Sequence, residues 1–121
     1  MILVDTSIWA NHFGRRNGDL DVLLEREDVL GHPFVTAEIA LGNLADPPGT
    51  IALLDSIPQA KVATQAELMM LIRLGQLAGS GIGFVDAHLL AASRLSGSRL
   101  WTLDKRLRAQ ADALGLSWER G

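Results

Sequence analysis

MILVDTS, residues 1–7, is the stretch of the sequence that decides the fold. The apolar run at positions 2–4 has two β-branched residues, which is typical of a strand buried on both faces. Asp5 ends this run, and either Thr6 or Ser7 can cap a helix that begins directly after it. Because open α/β folds place their sites at the carboxyl ends of parallel strands, the stretch predicts a functional carboxylate at Asp5.

A second stretch near the end of the chain, RLWTLDK at residues 99–105, repeats this pattern. An apolar strand covers residues 99–103, Asp104 closes it, and a helix follows from Lys105. The carboxyl ends of parallel strands lie at one edge of a sheet. If the two strands are neighbours, we therefore expect Asp5 and Asp104 to converge there.

Between these strands, segments with helical spacing of apolar residues alternate with brief extended runs. The helix that begins with Pro33 is expected to continue its apolar stripe to Leu44. Residues 46–49 are expected to interrupt the helical structure. Such alternation predicts an α/β fold: one domain over residues 1–121, with three layers in which helices flank a central parallel sheet. Other helices are predicted to begin near residues 7, 17, 51, 64, 86 and 105, and short strands to cover residues 29–30, 61–63 and 116–118.

Composition narrows the class of protein. The chain has 121 residues, of which 48% are hydrophobic and 21% charged, so it is expected to fold as a globular domain. The absence of cysteine excludes disulfides and thiolate metal sites. No apolar run is long enough to span a bilayer, and the N-terminus lacks the basic region of a signal peptide. A cytoplasmic protein without a membrane anchor is the expectation.

Two further acids stand in unusual contexts. Glu38 lies within the apolar segment that follows Pro33, and Asp86 follows the glycine-rich residues 79–83. That glycine-rich segment is a weak match to a phosphate-binding loop, because no strand leads into it and no Gly-Lys-Ser/Thr follows. We refer to four carboxylates together as the acidic quartet: Asp5, Glu38, Asp86 and Asp104.

Each member of the quartet also has a purely structural interpretation. Asp5 can be a helix cap, Asp86 and Asp104 can be ordinary acids of a first helical turn, and Glu38 can be a solvated helix residue. Four carboxylates cannot lie close together at neutral pH unless cations neutralise them. Because oxygen is the only ligand type in the quartet, such a site favours Mg²⁺ or Mn²⁺ over zinc.

The chain resembles the PIN-domain ribonucleases, and within them the VapC-type toxins of bacterial toxin–antitoxin systems. The resemblance implies a PIN-like α/β fold in which the acidic quartet is catalytic and binds metal. It also implies that Thr6 or Ser7 is the hydroxyl found near the first acid. Four segments carry the resemblance in the order of the family: LVDTS at 3–7, TAEIALG at 36–42, GIGFVDA at 81–87 and LWTLDKRL at 100–107.

The resemblance further implies a function and partners. The activity would be hydrolysis of RNA phosphodiester bonds with Mg²⁺ or Mn²⁺, as the toxin of a type II toxin–antitoxin pair. The partners would be the RNA substrate, a cognate antitoxin that lays a segment across the acidic groove, and a second copy in a homodimer. Broad apolar surface at residues 68–77 and around Trp9 and Phe13 is compatible with both protein partners. The basic residues that are candidates to hold RNA are Arg15, Arg16, Lys105, Arg106 and Arg108.

Two alternatives remain at this point. A non-catalytic interaction module can retain the same fold, although an intact acidic quartet argues against it. A phosphoacceptor receiver domain also has acids at strand ends, but it needs an acid pair beside the first strand and a lysine that closes a late strand. Here Asp5 stands alone and Lys105 follows an acid. Leu103 occupies a position that is often basic in the toxins, and the three histidines, His12, His32 and His88, are predicted to be structural or surface residues.

Overall fold

A computed structural model describes residues 1–119 of the chain. Within them, three strands and seven helices alternate, which confirms the predicted α/β class and the order of its elements. The elements are β1 (Ile2–Val4), α1 (Thr6–Gly14), α2 (Gly18–Glu25), β2 (Val29–Leu30), α3 (Pro33–Ala40), α4 (Pro47–Ser56), α5 (Gln65–Leu74), α6 (Phe84–Leu95), β3 (Arg99–Trp101) and α7 (Lys105–Ala113).

The sheet is parallel, with strand order β2-β1-β3. In its centre Leu3 pairs with Leu30 on one side and with Leu100 on the other, and all three side chains are buried. The pairing continues one residue beyond β1, because the backbone N–H of Asp5 donates to the carbonyl of Trp101 over 3.0 Å. Strands β1 and β3 are therefore neighbours, and their carboxyl ends lie together as expected. The predicted extent of the second strand to residue 103 is wrong, because β3 ends at Trp101 and Asp104 lies three residues beyond it.

Side chains cap most of the helices at the places where the sequence has short polar residues. Helix α1 is capped by Asp5, whose Oδ1 accepts from the Thr6 N–H over 2.7 Å. The prediction that Thr6 or Ser7 is the cap is wrong, since both residues already lie in the first turn of the helix. Asp104 caps α7 by accepting from the Leu107 N–H over 3.0 Å. Asp5 and Asp104 are thus both helix caps, and their role in chemistry stays a prediction.

Several predicted boundaries are wrong. Helix α3 ends at Ala40, and Leu41 is 88% exposed, so the apolar stripe does not reach Leu44. Helix α4 begins at Pro47 rather than at residue 51, because Asp46 caps it and proline is favourable in a first turn. Helix α6 begins at Phe84, two residues before the predicted start.

The two short strands predicted outside the main sheet fare differently. Residues 61–63 form no strand, and the pairing there is a single parallel bridge between Gly31 and Gln59. The last predicted strand is confirmed as one bridge between Leu100 and Ser117, with hydrogen bonds of 2.7 and 2.9 Å on either side. Single bridges form because these segments turn away from the sheet after one pair.

The apolar surfaces differ from the expected ones. Trp9 is completely buried, so the expectation that it contributes to an exposed surface is wrong, whereas Phe13 stacked on it is 38% exposed. In α5, Leu71 lies in the core, while the exposed apolar side chains are Met69, Met70 and Leu74. Within residues 1–119 no helix combines the length and apolar character needed to cross a membrane.

Candidate active site

Asp5 is the most firmly held member of the acidic quartet. Its side chain is only 5% exposed, and both carboxylate oxygens accept hydrogen bonds. Oδ1 accepts from the Thr6 N–H, and Oδ2 accepts from the Ser7 hydroxyl over 2.7 Å and from the Thr102 hydroxyl over 2.6 Å. Hydrogen bonds to a charged oxygen are shorter and stronger than neutral ones, so these three donors fix the direction of the carboxylate.

Thr102 is a site residue that the sequence reasoning missed. Its buried hydroxyl donates to Asp5 and accepts from the backbone N–H of Asp104 over 3.0 Å. Ser7 completes the connection by accepting from the Leu103 N–H over 3.0 Å. The available signal was its place two residues before Asp104, at the end of the strand that pairs with β1. The carboxyl ends of β1 and β3 are thus joined through two hydroxyl groups.

Glu38 reaches this network from α3. Its Oε1 accepts from the Thr6 hydroxyl over 2.7 Å, and α1 packs against α3. The roles of the two hydroxyl residues are therefore distinct: Ser7 holds Asp5, while Thr6 holds Glu38 through its side chain and Asp5 through its backbone. Glu38 is exposed, as expected of a residue that faces a groove or solvent.

Asp86 lies half-buried in the first turn of α6, and its electrostatic environment is unfavourable for a negative charge. Burial raises its pKa to about 6, and the charges of Asp5, Asp104 and Glu38 add to that effect. A hydrogen bond with the Gly83 backbone acts in the opposite direction but is weaker. The other three carboxylates therefore lie near enough to Asp86 to disfavour its negative charge.

The quartet is not arranged as a closed set of metal ligands. Among residues 1–119, no three His, Cys, Asp or Glu side chains converge at ligand distances, and no Lys or Arg forms an ion pair with a quartet member. Protein donors hold Asp5, Glu38 and Asp104, and like charges repel. The oxygen-only donor set suits a hard divalent cation, and such a cation would draw the carboxylates together.

Two of the predicted RNA-binding residues are engaged with acids. Arg16 forms an ion pair with Asp21 over 2.6 Å, and Arg108 forms one with Glu119. The remaining candidates, Arg15, Lys105 and Arg106, are exposed.

Arg106 lies directly against the glycine-rich loop, residues 79–83. A Cβ atom on Gly81 would be 3.1 Å from its Nη1 and 3.3 Å from its Cδ. Gly81 has φ +85°, a conformation that favours glycine. The loop leads into α6, whose first turn carries Asp86, so Arg106 lies against the loop that precedes this quartet member.

A groove adjoins the quartet. A groove of about 520 Å³ is bordered by Thr6 and Glu38 and extends past Phe13 to residues 42–46 and Thr50.

The histidines have structural positions, as predicted: His12 Nδ1 accepts from the Asn17 N–H, and His32 Nδ1 accepts from the Phe34 N–H. His88 is buried in α6, and burial lowers its pKa.

A comparison with curated proteins also indicates a ribonuclease. No protein-family model matches the chain. It is similar to a curated protein named Ribonuclease VapC32, from Mycobacterium tuberculosis strains CDC 1551 / Oshkosh and ATCC 25618 / H37Rv. Each is 40% identical over 118 residues, which cover 97% of this chain and 95% of the relative.

Proposed function

The chain belongs to the VapC family of ribonucleases, and we propose that its acidic quartet hydrolyses the phosphodiester bonds of RNA. The protein acts as the toxin of a toxin–antitoxin pair, which rules out the receiver-like alternative. The observation that carries the assignment of the site is the hydrogen-bond network at the carboxyl ends of β1 and β3. Thr102 donates to Asp5 and accepts from the Asp104 N–H, and Thr6 donates to Glu38. The raised pKa of Asp86, to which like charges from three separate segments contribute, agrees with it. A fold that gathers negative charge in this way suits a reaction that needs a cation.

We assign Mg²⁺ or Mn²⁺ to the quartet, with Asp5 and Asp86 as direct ligands and Glu38 and Asp104 as ligands or water-orienting groups. A divalent cation lowers the pKa of a bound water and offsets negative charge that develops on the phosphate. The donor set supports this choice because all four side chains offer hard oxygen. Glu38 is exposed, and only its Oε1 accepts the hydrogen bond from Thr6, so its Oε2 is available to a cation.

The residues around the quartet hold its carboxylates in position before the substrate binds. Ser7 and Thr102 fix Asp5, so the carboxylate loses no further freedom when it takes up a ligand. Thr6 orients Glu38 in the same way. Preorganised groups of this kind avoid the cost of reorganisation during the reaction. Protonation of Asp86 competes with binding of a cation, so activity is expected to fall below about pH 6.

Arg106 is the strongest candidate for a contact with the RNA backbone. It lies against the loop that leads to Asp86, and within residues 1–119 it makes no ion pair with an acid. A positive charge there offsets the repulsion between the quartet and the phosphates. Arg15 and Lys105 are exposed and available for weaker contacts, whereas Arg16 and Arg108 have acidic partners.

The protein partners follow from the same assignment. The groove beside Glu38 has the volume to receive a segment of the antitoxin, which would cover the quartet. The exposed methionines of α5, Met69 and Met70, border an apolar surface that would form the seam of a homodimer. We also propose a cytoplasmic location, because an RNA substrate would be met there.

Cleavage of RNA by the purified protein tests the proposal. We expect cleavage with Mg²⁺ or Mn²⁺, none with EDTA, and a loss of about 100-fold or more in Asp5→Asn. Asparagine retains the helix cap and removes the charge, which separates chemistry from folding. Asp55→Asn is the matched control, because Asp55 is an exposed acid on α4. Equal cleavage by the wild type and Asp5→Asn would contradict the assignment and favour a non-catalytic interaction module.

Binding of the cation provides a readout that does not depend on cleavage. Calorimetric titration with Mn²⁺ should give a saturable signal in the wild type and a weaker one in Asp5→Asn. Asp55→Asn should bind like the wild type. Identical titrations of all three proteins would place the cation outside the quartet.

A further inference from the structure

We propose that Phe84, supported by Phe34, is a stacking platform for a base of the RNA chain beside the bond that is cut. The inference deepens the proposed function and therefore rests on it. Phe84 is 63% exposed although it is a large aromatic residue. Its ring stacks on that of Phe34, with centroids 6.3 Å apart and planes inclined by 23°. The two rings therefore form one surface with an open side.

Buried histidines support this surface from behind. The His88 ring meets Phe84 at 4.7 Å and Phe34 at 4.8 Å, both edge to face. The His32 ring meets Phe34 at 4.9 Å. His32 and His88 are 0% and 5% exposed, so neither ring can move away without disturbing the core. A platform whose rings are already fixed loses little entropy when a base stacks on it.

The platform adjoins the quartet on two helices. In α6, Phe84 is the first residue and Asp86 the third, within a single turn. In α3, Phe34 and Glu38 are four residues apart, which places them on one face of the helix. Contact between the two phenylalanines thus joins the segments that carry two quartet members. A base on Phe84 would therefore lie next to the segments that carry Asp86 and Glu38.

The chemistry around Phe84 favours RNA over another protein as the occupant. Single-stranded RNA is held by aromatic rings that stack bases and by cations that contact the backbone. An aromatic ring and a cation both adjoin the glycine-rich loop here, since Arg106 lies against Gly81 and Phe84 follows Gly83. A Cβ atom on Gly83 would meet nothing within 4 Å, so there is open space where the chain enters α6.

Binding of a fluorescent single-stranded RNA to Asp5→Asn protein, measured by anisotropy with Mg²⁺, tests the platform. The variant Phe84→Ala, made in this background, should weaken binding about 5- to 150-fold, which corresponds to about 1–3 kcal/mol for one stacked base. Phe84→Trp should bind within about threefold of its parent, because a π-surface is retained. Phe84→Leu should lose most of the affinity, because it retains only bulk. Val22→Ala, at an apolar residue 43% exposed on α2, should change nothing.

Abasic substrates show whether a base is the occupant. A series of RNAs with one abasic nucleotide at successive positions should contain a position where the parent protein loses affinity and Phe84→Ala loses no more. Additive losses at every position, or equal binding by Phe84→Ala and its parent, would overturn the platform. Circular dichroism of Phe84→Ala should match the wild type, since the removed side chain is exposed.

The two proposals fail in different ways. Normal Mg²⁺-dependent cleavage with unchanged RNA binding by Phe84→Ala would overturn the platform and leave the nuclease intact. Phe84-dependent RNA binding without cleavage under any divalent cation would support the platform and overturn the nuclease. Unchanged RNA binding with loss of binding to a protein partner would assign the surface to protein docking and overturn the platform.

Discussion

Removal of the charge at Asp86 should stabilise the protein while it abolishes cleavage. Burial and three like charges oppose ionisation of this side chain, and ionisation at neutral pH therefore costs folding energy. Asparagine in the same position has nearly the same shape and can still accept the hydrogen bond from the Gly83 backbone. Asp86→Asn thus removes the repulsion and leaves the first turn of α6 intact.

The size of the effect follows from the pKa. A carboxyl whose pKa rises from 3.8 to about 6 carries an ionisation penalty of at most about 3 kcal/mol. Because the side chain is only half-buried, solvent screening reduces the expected penalty to about 1 kcal/mol. For a domain of this size, that difference corresponds to a rise of about 3–6 °C in Tm.

The dependence on pH distinguishes this cause from a general gain in stability. A raised pKa means that the folded state retains its proton more readily than the unfolded state. Below pH 3.8, Asp86 is neutral in both states and the variant has no advantage. The advantage grows between pH 3.8 and about 6, and stays constant above that range.

Thermal unfolding with EDTA at pH 4 and pH 8 measures the effect. Asp86→Asn should exceed the wild type in Tm only at pH 8, and Asp55→Asn, at an exposed acid of α4, should show no such difference. Millimolar Mg²⁺ should raise the Tm of the wild type more than that of the variant, since it binds the ionised quartet. A variant no more stable than the wild type at pH 8 would refute the reasoning, because it would mean that the quartet does not repel Asp86.

Three further predictions concern Thr102, Gly81 and Met70. Thr102→Val removes the hydroxyl that donates to Asp5 and should cost about 1–3 kcal/mol in urea unfolding, while Thr102→Ser should retain most of the stability. Gly81→Ala strains a backbone at φ +85° and displaces the guanidinium of Arg106, so it should weaken RNA binding about as much as Arg106→Ala does; tight binding by Gly81→Ala would contradict the role of the loop. Met70→Asp, at an exposed apolar residue of α5, should shift sedimentation from dimer to monomer, and an unchanged profile would exclude that face as the seam.

The sequence predicted the fold well because its strongest signals are local. A short strand pattern followed by an acid and a helix occurs at β1 and again at β3, although Asp104 lies three residues beyond the end of β3. The parallel pairing of the two strands is the simplest arrangement of two such units. The errors lie at helix ends, where one hydrogen bond decides the boundary. Asp46 caps α4, which begins at Pro47, four residues before residue 51, and Asp5 rather than Thr6 or Ser7 caps α1.

Prediction of the site from sequence was limited by contacts between residues far apart in the chain. The position of Asp5 and Asp104 at one edge followed from the strand pattern, but the hydroxyl of Thr102 gains its role only from the register between β1 and β3. Burial was also hard to predict within apolar segments. Trp9 and Leu71 both lie in the core, because each faces inward from a helix that is apolar on more than one side.

In the proposed site, two of the four carboxylates would serve both stability and chemistry. Asp5 and Asp104 cap helices, so the fold itself requires an oxygen at each of these positions. Asp86 is different, because the hydrogen bond from Gly83 does not compensate for burial and three like charges. Since natural proteins tolerate such a cost mainly where function needs it, the instability at Asp86 is itself an argument for the site. Asp86 is therefore the quartet member whose charge the fold disfavours most, and a bound cation would stabilise that charge most.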